Sequence, residues 1–163
     1  MEHREYDMFA VADGVRRLKN HLRITSDDLD SDLEQKFKAA ARFAEHQTGL
    51  SLIPSTFSFE SSFSPVVRLR YPLIEIDTVG INGENIPSDR YSVDMDSATV
   101  TIPQELCDGA ESVSMRYRAG MGSIPEDIMA AILLKASAMF SNPVDSVEVM
   151  TTAAQNLLRP YRR

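Results

Sequence analysis

Apolar positions Phe9, Val11, Val15, Leu18 and Leu22 recur near the helical period, with Arg16, Arg17, Lys19 and Arg23 between them. This spacing predicts an amphipathic helix. Thr25 then precedes Ser26-Asp27-Asp28, which places a hydroxyl cap and early acidic residues before an apolar run, with Ile24 and Leu29 as a staple. A second helix is expected to start there. Its inward stripe is Leu29, Leu33, Phe37, Ala40, Ala41 and Ala44, and Gly49 marks a left-handed stop. From Leu52 to Tyr117 short runs of Thr, Val, Ile, Phe and Tyr are broken by Pro54, Pro65, Pro72, Pro87 and Pro103, which reads as strands. The expected strands run over 56–59, 66–69, 74–81, 91–93, 99–102 and 113–118. Asn82-Gly83 is the clearest hairpin signal, because both central residues of a type I′ turn need positive φ. It is expected to pair Val79 and Ile81 with the segment around Ile86.

Helical spacing returns after Gly122, where Ser123 and Glu126 match a capping box around Pro125. The run Ile128, Ala131, Ile132, Leu134, Lys135, Ala138, Met139 is apolar over most of its circumference, as in a helix buried between layers or against a partner. Asn142-Pro143 is expected to end it. Residues 144–150 form a connection, and Thr152 with Gln155 caps a last short helix ending before Pro160. The expected fold is α+β and mainly helical: an N-terminal helix pair, a small antiparallel sheet region, a long helix in the C-terminal half and a short terminal helix. With no repeat and no low-complexity tract, one domain is expected over 1–163, helical over 8–49, β-rich over 52–118 and helical over 123–163.

The 163 residues are 43% hydrophobic and 25% charged, which fits a globular chain and excludes disordered and fibrous classes. Asp and Glu exceed Lys and Arg by 24 to 17, a formal charge of −7, so the surface as a whole is a poor counterion for phosphate. The longest wholly apolar run, Ile128 to Leu134, is far short of the roughly 20 residues that span a bilayer. No membrane partner is expected. The N-terminal residues lack a signal-like apolar stretch, so the protein is expected to stay where it is made.

Candidate chemistry is sparse. His3, His21 and His46 are scattered without the helical spacing of a zinc site. Asp27, Asp28, Asp30, Asp32 and Glu34 lack the central Gly and distal Glu of a calcium loop, and acidic residues at a helix start suit its dipole. Asp94 and Asp96 read as turn residues. Gly120-Met121-Gly122 lacks the Lys-Ser or Lys-Thr of a phosphate cradle. Cys107 has no His near it in sequence, and no Ser sits in Gly-x-Ser-x-Gly. No catalytic, metal or cofactor residue is assigned, no cofactor is expected, and the chain is not read as an enzyme.

Leu18-Lys19-Asn20-His21-Leu22-Arg23-Ile24 before Thr25, Asp27 and Asp28, with the later Thr48-Gly49, resembles the opening of the gp6-like head-tail connector proteins of tailed phages. Tyr71-Pro72-Leu73, the Asn82-Gly83 hairpin, Tyr91-Ser92-Val93-Asp94 and Tyr117-Arg118-Ala119-Gly120-Met121-Gly122 leading to Pro125 follow the same order. Leu158-Arg159-Pro160-Tyr161-Arg162 resembles the family's C-terminal signature. Leu18, His21, Leu22, Arg23, Gly49, Tyr117, Gly120, Gly122 and Pro125 carry the likeness most directly. The segment Met139-Phe140-Ser141-Asn142-Pro143 departs from the aromatic, Asn- and Arg-containing helix end usual in the family.

The resemblance implies a structural subunit in the virion neck, assembled in the bacterial host cytoplasm. Copies would form a ring under the portal that extends the DNA channel and docks the next neck or tail protein, with DNA passing through unbound. A DNA-packaging accessory, or another neck protein such as a stopper or tail completion protein, is the alternative. Leu134, Ala138 and Met139 of the long helix, with Leu157, Leu158, Pro160, Tyr161 and Arg162 of the tail, are the expected portal or subunit contacts.

Overall fold

The computed structural model describes residues 2–142 and 152–162. The chain divides into two compact units. Residues 2–6 and 54–121 build one from strands; residues 7–53 and those from 122 onward build the other from helices.

The strand unit holds β1 (His3–Tyr6), β2 (Ser55–Ser62), β3 (Val66–Arg68), β4 (Leu73–Ile81), β5 (Glu84–Ile86), β6 (Ser92–Asp94), β7 (Thr99–Thr101) and β8 (Ser112–Ala119). A five-stranded antiparallel sheet runs β1-β2-β8-β4-β5, and a three-stranded one runs β3-β7-β6. The alternation of β8 decides which way the larger sheet faces. Val113, Met115, Tyr117 and Ala119 are buried, while Arg116 between them is exposed. Phe57 lies opposite Tyr117 in the register of β2 with β8, and their rings stack at 5.4 Å. Val79, Val100 and Ile102 complete this core. At the hairpin, Asn82 (φ 51) and Gly83 (φ 83) take the positive φ values the turn demands, and Val79 faces Ile86. The Asn82 carboxamide also accepts from the Glu111 and Ser112 amides at 2.8 and 3.0 Å, tying the hairpin to the approach to β8.

The helical unit holds α1 (Met8–Leu22), α2 (Asp30–Thr48), α3 (Glu126–Ser141) and α4 (Thr152–Leu158), with a 3₁₀ turn over Arg159–Tyr161. The Asp7 carboxylate caps α1, accepting from the Phe9 and Ala10 amides. Val11, Val15 and Leu18 are the buried stripe of α1; Leu33, Phe37, Ala40, Ala41 and Ala44 are that of α2. Burial of a side chain the size of Phe37 contributes about 1.5–3 kcal/mol. Gly14 lets α1 come close: a Cβ there would lie 2.0 Å from Phe37 Cζ. At the end of α2, Gly49 (φ 74) donates to the Glu45 carbonyl, and the buried Glu45 carboxylate accepts from the Leu52 amide at 2.8 Å. That contact turns the chain sharply after the helix.

The expectation of a mainly helical fold is corrected: the described residues are 43% helical and 27% strand, with two antiparallel sheets of five and three strands among them. The helix layout differs as well. α2 begins at Asp30, not after Thr25, and its cap residue Leu29 makes no side-chain cap bond. The Ser26 hydroxyl instead closes a local turn with Asp28, and Lys19 of α1 draws in both Asp27 and Asp30. The Ser123–Glu126 box does not form; Pro125 caps α3 without a side-chain bond, and Glu126 pairs with Arg17. A strand, β1, precedes the first helix. Phe9, placed by spacing among inward positions, is 90% exposed, because it lies about 200° around the helix from Val11. The expected helix end at Pro143 and the connection over 144–150 lie outside the described residues.

Substituting Gly14→Ala is expected to destabilise the fold by about 1–2 kcal/mol, the overpacking against Phe37 exceeding the helix-propensity gain. Urea denaturation measures this, and adding Phe37→Leu should recover part of the loss.

Candidate functional site

Among the described residues, histidine, cysteine and carboxylate side chains do not gather into a metal-binding cluster. His3, His21 and His46 are exposed and lie on separate elements. The Cys107 thiol donates to the Pro103 carbonyl at 3.4 Å. Asp94 closes a turn, accepting from the Asp96 and Ser97 amides and the Ser97 hydroxyl, and these Ser97 bonds hold its carboxyl below the usual range. Among the described residues, no group of three or more His, Cys, Asp or Glu side chains is placed to hold a metal ion, and no helix is long and apolar enough to cross a membrane.

The features that stand out are surfaces. In the helical unit, a groove of about 340 Å³ is walled by Met8, Val11, Ala12 and Val15 of α1 and by Asp30 and Glu34 of α2, with Lys19 and Ile24 at the corner. Lys19 sets that corner. Its Nζ lies 2.5 Å from an Asp27 carboxylate oxygen and 2.7 Å from one of Asp30, which raises the ammonium above its ordinary pKa and lowers the Asp27 carboxyl. Asp13 serves Arg16 and Arg17 together, so its carboxyl is also held low.

Of the expected contact residues, Leu158 is fully buried and Met139 nearly so. Both belong to the core of the helical unit. Leu134, Ala138, Leu157 and Tyr161 are half-buried, and Pro160 and Arg162 are exposed. Arg162 donates to the Gln47 side chain at 2.9 Å, which fastens the tail to the end of α2. The fully buried Lys135 places its ammonium 4.7 Å from the Phe43 ring centre, and burial pulls its pKa down. Spacing placed Lys135 on the apolar run of α3, and it packs there as a core residue.

The resemblance-bearing residues occupy structural positions. Leu18 is core, Leu22 half-buried and His21 exposed. Arg23 ends α1 in the left-handed region (φ 58) with its amide on the Asn20 carbonyl. Gly49 is the left-handed end of α2, and Gly120 (φ 139) donates to the Pro72 carbonyl at 2.9 Å. Gly122 is exposed and Pro125 opens α3. Tyr117 is buried in the strand unit. Its hydroxyl donates to the Glu2 carboxylate at 3.1 Å, and burial, aided by that carboxylate, pushes its pKa up.

The family of phage gp6-like head-tail connector proteins matches residues 13–162. The chain belongs to this family. Solved structures resemble the connector along its length. A chain from the neck of an empty gene transfer agent (GTA) particle with C6 symmetry is 18% identical at a TM-score of 0.72, over 99% of this chain and 95% of that one. One from the neck of a native GTA particle with C12 symmetry is 18% identical at 0.73, over 99% and 94%. One from the virion of a native GTA particle is 17% identical at 0.74, over 99% and 95%. At this identity the likeness is one of fold. No curated protein sequence matches the connector.

The depressed Asp13 and Asp27 values fix the sign of the connector's acid response. A carboxyl whose folded pKa lies below its usual value of 3.8 stabilises the fold above that value and ceases to as pH falls through the folded one. Stability is therefore expected to drop below about pH 4, and Asp27→Asn should flatten the drop when denaturant midpoints are measured across that range.

Proposed function

We propose that this head-tail connector works as one subunit of a ring beneath the portal, lengthening the DNA channel and seating the next neck or tail protein. The family match over 13–162 carries the reading, and the C6 and C12 necks that hold chains of the same fold support it. The ring sits in the neck of a virion-like particle assembled in the bacterial cytoplasm. Its work is shape and docking, with no catalytic step and no cofactor, in keeping with a family of structural neck proteins.

Surface charge favours passage of DNA over capture. Several arginines of the strand unit are matched with carboxylates: Arg70 with Glu2 at 2.6 Å, Arg118 with Glu75 at 2.7 Å, and Arg116 with Asp77 and Glu5 at about 3.5 Å. An arginine already paired releases fewer counterions on meeting a phosphate. The net charge of −7 acts in the same direction. Portal contact falls to the part of the tail and α3 that stays accessible: Leu134, Ala138, Leu157, Pro160, Tyr161 and Arg162.

Mass measurement of the connector alone and mixed with portal is expected to give a stoichiometric complex with portal; its absence overturns the reading. In that mixture, Leu157→Ser with Tyr161→Ala should weaken portal binding by about tenfold or more, while the domain stays folded. Duplex DNA is expected to show no measurable affinity at moderate salt in an anisotropy titration. Submicromolar, steeply salt-dependent binding would favour a DNA-packaging accessory instead.

A further inference from the structure

We infer that neighbouring copies of the connector exchange their opening segment, so that residues 2–6 of one copy complete the sheet of the next. The inference rests on the ring reading and names the joint that closes the ring. These residues include β1, an edge strand of four residues that pairs with β2. Along the sequence they are parted from the rest of the strand unit by the whole helix pair, since residues 7–53 intervene. Side chains supplement the short ladder. The Glu2 carboxylate lies 2.6 Å from an Arg70 guanidinium nitrogen and accepts from the Tyr117 hydroxyl at 3.1 Å. The Arg4 guanidinium donates to the Ser55 hydroxyl at 3.0 Å and lies 5.1 Å from the Phe57 ring centre. Phe57 and Tyr117 are the stacked pair of the sheet's core, so the segment is keyed to the centre of the sheet it joins and not only to an edge.

The occupant of that sheet edge is set by the chain itself. An identical segment from a second copy brings the same side chains to the same partners, so exchange keeps each of these bonds. What exchange alters is the joint. A single residue, Asp7, stands between β1 and α1, and its carboxylate caps α1 through the Phe9 and Ala10 amides. The helix start is thus held whether or not β1 stays on its own sheet, and one pair of backbone angles at Asp7 (φ −65, ψ 112) sets where the segment goes. A joint this short leaves the closed arrangement little slack, the condition under which segments exchange. Directly after it stand Met8, 58% exposed, and Phe9, 90% exposed, the two most exposed large apolar side chains among the described residues. The closed copy leaves them bare, whereas a crossing segment brings a neighbour to this point and covers them. Donor segment and receiving edge are different parts of one chain, so each copy gives on one side and receives on the other. Such a contact repeats head to tail, as a closed ring of more than two copies requires.

A reversible lock tests the exchange. His3 and Ser58 lie opposite each other in the register of β1 with β2, at the roughly 4.5–5.5 Å Cα spacing of paired antiparallel residues, which a disulfide spans. His3→Cys with Ser58→Cys, in a chain carrying Cys107→Ser, is oxidised in dilute solution, and the monomer linked within its own chain is isolated and concentrated for sedimentation. The wild-type chain and the reduced variant are expected to form species larger than a dimer. The locked chain should associate about tenfold or more weakly and recover when reductant is added. A locked chain that assembles like the reduced one overturns the exchange and leaves the ring reading standing. Charge reversal probes the same joint without cysteines. Glu2→Arg and Arg70→Glu each set like charges together, and only a mixture of the two restores unlike pairs between copies. Each alone should associate about tenfold or more weakly, and the mixture like wild type. A mixture no better than its parts, or a wild-type chain monomeric up to millimolar concentration, would also overturn the exchange; the portal mixture described above judges the ring independently.

Discussion

The missing side chain at Gly14 sets the geometry of the helical unit. With only a hydrogen there, the Phe37 ring reaches the α1 backbone, and the two helices approach more closely than any larger residue permits. A tight approach needs a tight corner, and the chain supplies one: Arg23 turns left-handed, and Lys19 gathers Asp27 and Asp30 against α1. The groove beside the corner and the outward aim of Phe9 both follow from how α1 lies on α2.

Pairing of charges is the second theme. The acidic surplus is not spread evenly, since arginines of the strand unit are matched with carboxylates on neighbouring strands, and the start of α2 keeps more carboxylate than cation. Exposed pairs of this kind contribute little to stability. Their effect is on what the surface attracts: an arginine already matched with a carboxylate offers a phosphate less, and an acidic helix start favours a basic partner.

Legibility in the sequence followed the range of the forces involved. Proline-bounded apolar runs and Asn82-Gly83 are local signals, and the strands and hairpin stand where they point. β1 was illegible because His3-Arg4-Glu5-Tyr6 carries charge on both faces and pairs with β2 some fifty residues away. β2 likewise runs past its expected end at residue 59 over Glu60, Ser61 and Ser62, polar residues that carry no strand signal of their own. The start of α2 was misplaced because Lys19, on the preceding helix, outcompetes the local cap pattern. For the tail and α3, apolar character marks Leu158 and Met139 as burial-prone but does not distinguish a core from a docking surface. Phe9 was hidden for the opposite reason, an apolar residue counted as inward when its helical angle sends it to solvent.

Apart from β1, the strand unit is inserted within the helical one: α1 and α2 come before β2, while α3 and α4 come after β8. During synthesis, the helix pair therefore leaves the ribosome without α3, its main packing partner, and the whole of β2 to β8 is made before that partner arrives. The part of the α2 surface that α3 covers must wait exposed for that interval, which makes the nascent chain most vulnerable to premature association while the strand unit is being translated.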